Sequence, residues 1–298
     1  MDISKPGVFL FLDSLDAQAG LELARKAEKL GYSALWVVEV FGRDSLTYSA
    51  YLLARTERLV VGSGVASIWS REATNMAAAA KTAYELSGGR FILGLGVNNA
   101  QTAGIRGFKY GKPLASMRAY LQTVRSASDS APAGFEIAKG FAAAKPPLVI
   151  AALNDKMVDV AAKEADGTIT YFVPPAHTAK IRKIFGPRPL IYAEQAVMLE
   201  SDPSRARAAI RSYMSFYLQL AAYQRMLGGL GFAPEDWSNG GSDRLCDAIV
   251  AWGSADKLRE RIEAHYKAGA NHVCILPLDP AGGYAPDVRA IEALAPGR

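Results

Sequence analysis

One arrangement recurs along this chain and limits what it can fold into: an amphipathic helix, a glycine, then a short apolar run. It occurs in AEKLGYSALWVVEV, YELSGGRFILGLG, KEADGTITYFV and YKAGANHVCILP. A glycine just past a helix supplies a left-handed C-terminal cap. An unbroken apolar run directly after a helix is the pattern of a parallel strand covered by helices. The helices carry the matching stripes, as in residues 16–30, where Leu21, Ala24 and Ala27 recur at helical spacing between Asp16 and Gly31. Reading the other runs alike predicts eight strands, at 8–12, 34–39, 59–65, 91–97, 148–152, 168–173, 190–199 and 272–277. Open doubly wound sheets usually have about six strands, so eight alternating units favour a closed (β/α)8 TIM barrel. The barrel is expected to fill residues 1–298 as a single domain, with an insertion over about 203–253 between the last two strands. That insertion reads as a helix over 203–227, a loop, GGLGFAPEDWSNGGS, that is a candidate for mobility, and a second helix.

Composition narrows the class. No window is apolar for the ~18 residues a membrane helix needs, and MDISKPGVFLFLD lacks the basic start and cleavage site of a signal peptide. The net charge of +5 is dispersed, and its densest cluster, LRERIEAHYK, alternates in sign. That is a solvated helix face rather than a nucleic-acid footprint. Two cysteines without a CxxC and three scattered histidines give neither a disulfide framework nor a zinc site. The expectation is a cytoplasmic protein acting on a small molecule, without nucleic-acid or membrane partners and without a metal.

In a barrel of this type the chemistry sits where strands end. After the second strand stands Glu39, a carboxylate closing an apolar run. It needs a partner, either in a structural ion pair with Arg43 or Arg71 or in a functional site. After the third comes GSGVASIWSREA, in which Trp69 is either core or the flat wall of a pocket, and Ser70 is the expected cap of the next helix. After the fourth comes RFILGLGVNN. A dinucleotide loop would need a third glycine where Asn99 stands, inside a helix, and no helical pattern starts before Pro113, so that reading fails. Gly94 and Gly96 lie on one side of the strand and are expected to free space at the barrel mouth, with Val97, Asn98 and Asn99 as its lip. After the fifth, Asn154 or Asp155 caps a helix whose first turn holds Lys156. That lysine is either solvated or one wall of an anion site. After the sixth, Pro175 opens a helix and His177 is expected near the mouth, as a surface or a catalytic residue.

Taken together, WVVEVFGRD, GSGVASIWSREA, RFILGLGVNNA, GKPLASMRAYL and AALNDKMVDVAAKEADG, in this order, resemble the luciferase-like monooxygenase superfamily over essentially the whole chain, and within it the branch of oxidoreductases using the deazaflavin coenzyme F420. The resemblance implies a barrel that pairs as a homodimer. It implies a non-prolyl cis peptide at Gly64–Val65 behind the cofactor ring, with Ser67 beside the ring. It implies that Leu153, Asn154, Lys156 and Met157 hold the cofactor phosphate, and it adds Val97, Asn98 and Glu39 to the cofactor site. Glu39 and His177 become candidates for proton handling. Trp69, Tyr171, Phe172 and Trp252 become candidates for the substrate pocket. Two positions depart from relatives: Val40 replaces a histidine, and Val97 replaces a catalytic glutamate of sugar-phosphate-oxidising members. Three functions are therefore weighed: an F420-dependent oxidoreductase transferring hydride to or from a small organic substrate, an FMN-dependent monooxygenase using O2, and a non-catalytic ligand-binding barrel.

Overall fold

The apolar runs become strands because each has one face for a barrel interior and one for a layer of helices. The computed structural model describes residues 1–129 and 145–296. Eight parallel strands are labelled here β1 (Gly7–Leu10), β2 (Ala34–Val37), β3 (Val60–Ser63), β4 (Phe91–Gly96), β5 (Leu148–Ala151), β6 (Gly167–Thr170), β7 (Leu190–Met198) and β8 (His272–Pro277). They pair in chain order, and β8 pairs with both β1 and β7, which closes the barrel. Side chains alternate as the two-residue period requires. Val8, Leu35, Val61, Phe91, Ile150 and Ile275 join the cluster packed against the helices. Phe9, Trp36, Ile92, Val149, Ile169 and Cys274 join the inner cluster. Seven of the eight strands end one to three residues before their apolar runs, whose last residues leave the sheet at the barrel mouth; β8 alone fills its run.

Helix ends follow the predicted chemistry in most places. Asp16 accepts the N–H of Ala19 at the start of helix Ala17–Lys29, and Gly31 leaves it with φ +87°. Gly89 and Gly269 do the same work at φ +87° and +100°. Gly167 differs: it opens β6 rather than capping a helix, since a Cβ there would lie 2.1 Å from the Leu190 carbonyl oxygen. Glu72, not Ser70, caps helix Ala73–Leu86, accepting from the amides of Thr74 and Asn75. A short helix, Ala100–Ile105, starts directly at Asn99, whose side chain caps it through Thr102 N–H. It has little apolar periodicity to announce it.

The crossing from β7 to β8 carries the insertion. Its first helix is broken into Pro203–Met214 and Ala221–Gly228, with a single 3-10 turn, Tyr217–Gln219, between. The break swings Tyr217 and Leu220 over the barrel end. The glycine-rich segment that follows is tied down: Asp236 accepts from Arg244, Ser242 Oγ and Ala233 N–H around the short helix Pro234–Trp237. Among the described residues no helix is long and apolar enough to cross a membrane.

Candidate active site

The end of β3 sets the floor of the site. Gly62 pairs with Ile92, but Ala66 rather than Val65 pairs with Leu95, so the chain holds one extra residue between them. The Gly64–Val65 peptide bond in this bulge is cis. Gly94 and Gly96 of β4 make room for the bulge rather than for a ligand. A Cβ on Gly94 would lie 2.1 Å from the Ser63 carbonyl oxygen, and one on Gly96 2.3 Å from Val65 Cγ2. Ser63 Oγ fastens the contact, donating to Gly94 O at 2.8 Å and accepting from Gly94 N–H at 2.9 Å.

Above this floor a cavity of about 1210 Å³ opens at the C-terminal strand ends. Its inner part is apolar, with Phe9, Val65, Val97 and Ile169 on the walls. Its outer part is basic, with Lys112, Lys156, Lys180 and Arg225. Asp155 also lies there and pairs with Lys180 at 2.6 Å. Asn154 stands at the N-cap of helix Asp155–Glu164 without capping it; its side chain donates to Ala222 O instead. The first-turn amides therefore receive no side-chain acceptor, and the positive end of the helix faces the cavity edge where Lys156 and Met157 lie.

Glu39 lies at the cavity wall as half of an ion pair. Arg71 donates to Oε2 at 2.8 Å and to Oε1 at 3.2 Å. Ser45 Oγ, Ser45 N–H and Ser67 N–H complete its bonds. Burial alone would raise the Glu39 carboxyl, but the bonds from Arg71 and Ser45 outweigh it and hold it below the ordinary carboxylate range. Arg43 is committed elsewhere, to the Leu12 and Leu15 carbonyls. Ser67 is buried beneath the floor, its Oγ accepting from Trp69 N–H.

The remaining candidates separate. Gly64, Val65, Val97, Asn98, Leu153, Asn154, Lys156, Met157 and Tyr171 line the cavity together with Glu39. His177 does not: it is 2% exposed, and its Nε2 donates to Leu153 O at 2.8 Å from behind the wall. Burial lowers its pKa and keeps it neutral. Trp69 braces the lip from outside the cavity lining, donating to Val97 O at 2.8 Å. Trp252 is turned away, with its indole bonded to Asp247 and Arg207 over its ring. Phe172 is buried among Tyr213, Tyr217 and Tyr223.

Several residues of the cavity region carried no expectation. Tyr217, Tyr223 and Arg225 come from the insertion, and Phe9 from β1. Glu194 sits in the middle of β7, fully buried. The argument that singled out Glu39 applies equally to Glu194, the one acid in the run LIYAEQAVML.

A closed (β/α)8 barrel with a cavity at its C-terminal strand ends, apolar at its floor and basic at its rim, is the layout of a barrel enzyme. The chain belongs to the luciferase-like monooxygenase family, whose model matches residues 7–272. It is 31% identical, over 66% of its length and 67% of the relative's, to a Mycobacterium tuberculosis protein named as a coenzyme F420-dependent oxidoreductase. It is 25% identical, over 83% of its length and 86% of the relative's, to the 5,10-methylenetetrahydromethanopterin reductase of Archaeoglobus fulgidus. Its fold matches an F420-dependent secondary alcohol dehydrogenase, solved with an F420–acetone adduct, with a TM-score of 0.76 at 17% identity over 99% of this chain and 98% of that one.

Proposed function

We propose that this protein is an F420-dependent oxidoreductase that moves a hydride between the deazaflavin and a small, largely apolar organic substrate. The observation that carries the reading is the two-part cavity. Its apolar end suits a flat ring system, and its basic end, with an uncapped helix terminus, suits a phosphate-bearing tail. The name of the Mycobacterium tuberculosis relative favours F420 over other flat anionic cofactors. F420, when bound, supplies a ring carbon able to take or give a hydride. The chain's own residues do the rest. Gly64 and Val65 back the ring, and Val97 and Asn98 border it at the lip. Lys156, with Leu153, Asn154 and Met157, holds the phosphate. Glu39, ionised and fully bonded, fixes the backbone at Ser67 and so the bulge, rather than passing a proton. His177 supports Leu153 from behind.

Equilibrium titration of the purified protein with F420 and with FMN tests this reading. F420 is expected to bind and FMN to bind far more weakly, and an acceptor-dependent rise in oxidised-F420 absorbance is expected with a panel of ketones, enones and imines. Tight FMN binding without F420 binding overturns the cofactor. F420 binding without turnover of any acceptor favours a non-catalytic barrel.

A further inference from the structure

Glu194 and three tyrosines form a polar group at the base of the cavity that the cofactor reading leaves unused. Glu194 shares the interior face of β7 with Tyr192, Ala196 and Met198 and is 0% exposed. Its Oε2 accepts the Phe172 N–H at 2.9 Å, and its Oε1 has no partner. The bond anchors Phe172, which stands at φ +62° immediately after Tyr171, a residue of the cavity lining. Tyr213 Oη donates to Tyr171 Oη at 2.9 Å, and Tyr171 Oη lies 2.8 Å from Tyr217 Oη. Each hydroxyl has one proton to donate. With Tyr213's committed to Tyr171, either Tyr171 or Tyr217 retains an uncommitted O–H, and both line the cavity.

The titratable groups that interact with Glu194 are Tyr171, Tyr213, Tyr217, Tyr223 and Cys274. None is cationic at neutral pH. Burial pushes the Glu194 carboxyl up to about 8, opposed only by the Phe172 N–H. Burial likewise drives Tyr171 and Tyr213 well above the usual phenol range. Glu194 is therefore uncharged at neutral pH, and its ionisation would place a negative charge beside the hydroxyl chain.

We propose that the Tyr171–Tyr217 pair is the proton-donating end of the site, binding the heteroatom of a substrate with a polar carbonyl or imine double bond, and that Glu194 is the positioning residue behind it. The proposal rests on the deazaflavin reading. The hydride of the new C–H bond would come from reduced deazaflavin backed by Gly64 and Val65. The π pair of the double bond moves onto the heteroatom, and the tyrosine O–H bond breaks to protonate it. Tyr213 and then solvent restore the proton after product leaves. In the reverse direction the pair relays the proton of an alcohol or amine: as one tyrosine oxygen takes it up, the chain passes a proton on through Tyr213 to solvent, and hydride departs to oxidised deazaflavin.

Infrared spectroscopy of the cofactor-free protein, combined with pH-dependent kinetics of the loaded one, tests this. The wild type is expected to show a protonated carboxylic C=O band near neutral pH that is absent in Glu194→Gln and disappears with a midpoint near 8. That midpoint is expected to shift in Tyr171→Phe. With a carbonyl acceptor, Tyr217→Phe and Tyr171→Phe together are expected to lower kcat by roughly 100-fold or more with little change in KM. The wild type is expected to show an alkaline fall in kcat, and Glu194→Gln is expected to lose it. Absence of the band in the wild type overturns the proposal, as does kcat within about twofold of wild type in the double tyrosine variant. If F420 does not bind while the band and its Tyr171 dependence are present, the cofactor reading alone fails, and the tyrosine variants are judged with reduced FMN on the same acceptors.

Discussion

Arg71 reaches both oxygens of Glu39, at 2.8 and 3.2 Å, and ties the end of β2 to the helix that follows the β3 bulge. The carboxylate side chain is 2% exposed and the guanidinium 15%, so the pair is strongly shielded from water. Replacing Arg71 leaves a buried carboxylate without its cation. Arg71→Ala is expected to lower unfolding stability by about 3 kcal/mol at neutral pH. The sign with pH follows from the depressed carboxyl: the pair's contribution is complete above the unfolded value near 4.5 and is lost as pH falls through the lower folded value. The gap between wild type and variant in urea unfolding should therefore narrow in acid. A constant gap across the acid range would show that Arg71 stabilises by packing alone.

Glu194 has the opposite sign. Its folded carboxyl sits at about 8 against 4.5 for an ordinary glutamate. Below 4.5 both folded and unfolded chains hold the proton. Between the two values only the folded chain does, so stability is lost as pH rises through this window and the loss is complete above 8. Glu194→Gln, which cannot ionise, should gain on the wild type by roughly 1.4 kcal/mol per pH unit across that window. Thermal melts at several pH values measure this directly. A difference that does not vary with pH would mean that Glu194 titrates normally.

Lys156 tests the basic end of the cavity. The side chain lines the rim, and the neighbouring Asp155 is paired with Lys180. Lys156→Glu is expected to weaken F420 binding by roughly 10- to 100-fold, the scale of one charge-assisted bond. The loss should shrink at high salt, since the rim is open to solvent. Fluorescence titration at two ionic strengths decides it, and unchanged affinity removes Lys156 from the phosphate site.

Two glycine substitutions should have opposite effects. An added methyl at Gly94 meets the Ser63 carbonyl oxygen at 2.1 Å, backbone against backbone, so Gly94→Ala should destabilise by roughly 3 kcal/mol. Gly104 lies in helix Ala100–Ile105 with nothing within 4 Å of the same point. Gly104→Ala should stabilise by about 0.5–1 kcal/mol. Chemical denaturation of the two variants measures both, and a tolerated alanine at 94 would show that β3 can shift its bulge.

The barrel was legible in the sequence because its eight strands are covered on both faces and so read as unbroken apolar runs. Part of the cavity's strand-end wall was legible for the same reason: Glu39 and Val97 end such runs and Lys156 stands just past one, while Gly64 and Val65 entered the site through the family resemblance. The opposite wall was not. Tyr217 and Tyr223 reach the cavity only because the insertion helix breaks at Ser215–Leu220, and nothing local in YMSFYLQLAAY separates a break from a continuous helix. Trp252 misled because an aromatic residue near a strand end looks the same whether it faces the cavity or, as here, Asp247. Gly94 and Gly96 were placed on the correct side of their strand, but what fills their space is a neighbouring strand, which spacing cannot reveal.

The two walls of the cavity differ in how freely they can change. On one side the lining is the sheet itself, where a single methyl on β4 collides with β3, so drift there is punished by misfolding. On the other side the lining belongs to the helical part of a crossing, held to the barrel by side-chain packing, as at Leu218, Leu227 and Ile249, rather than by strand pairing. Variation in acceptor chemistry among proteins built this way should therefore accumulate in the crossing, and exchanging the side chains of its tyrosine-bearing stretch, residues 213–223, is the shortest route to a new acceptor preference on the same sheet floor.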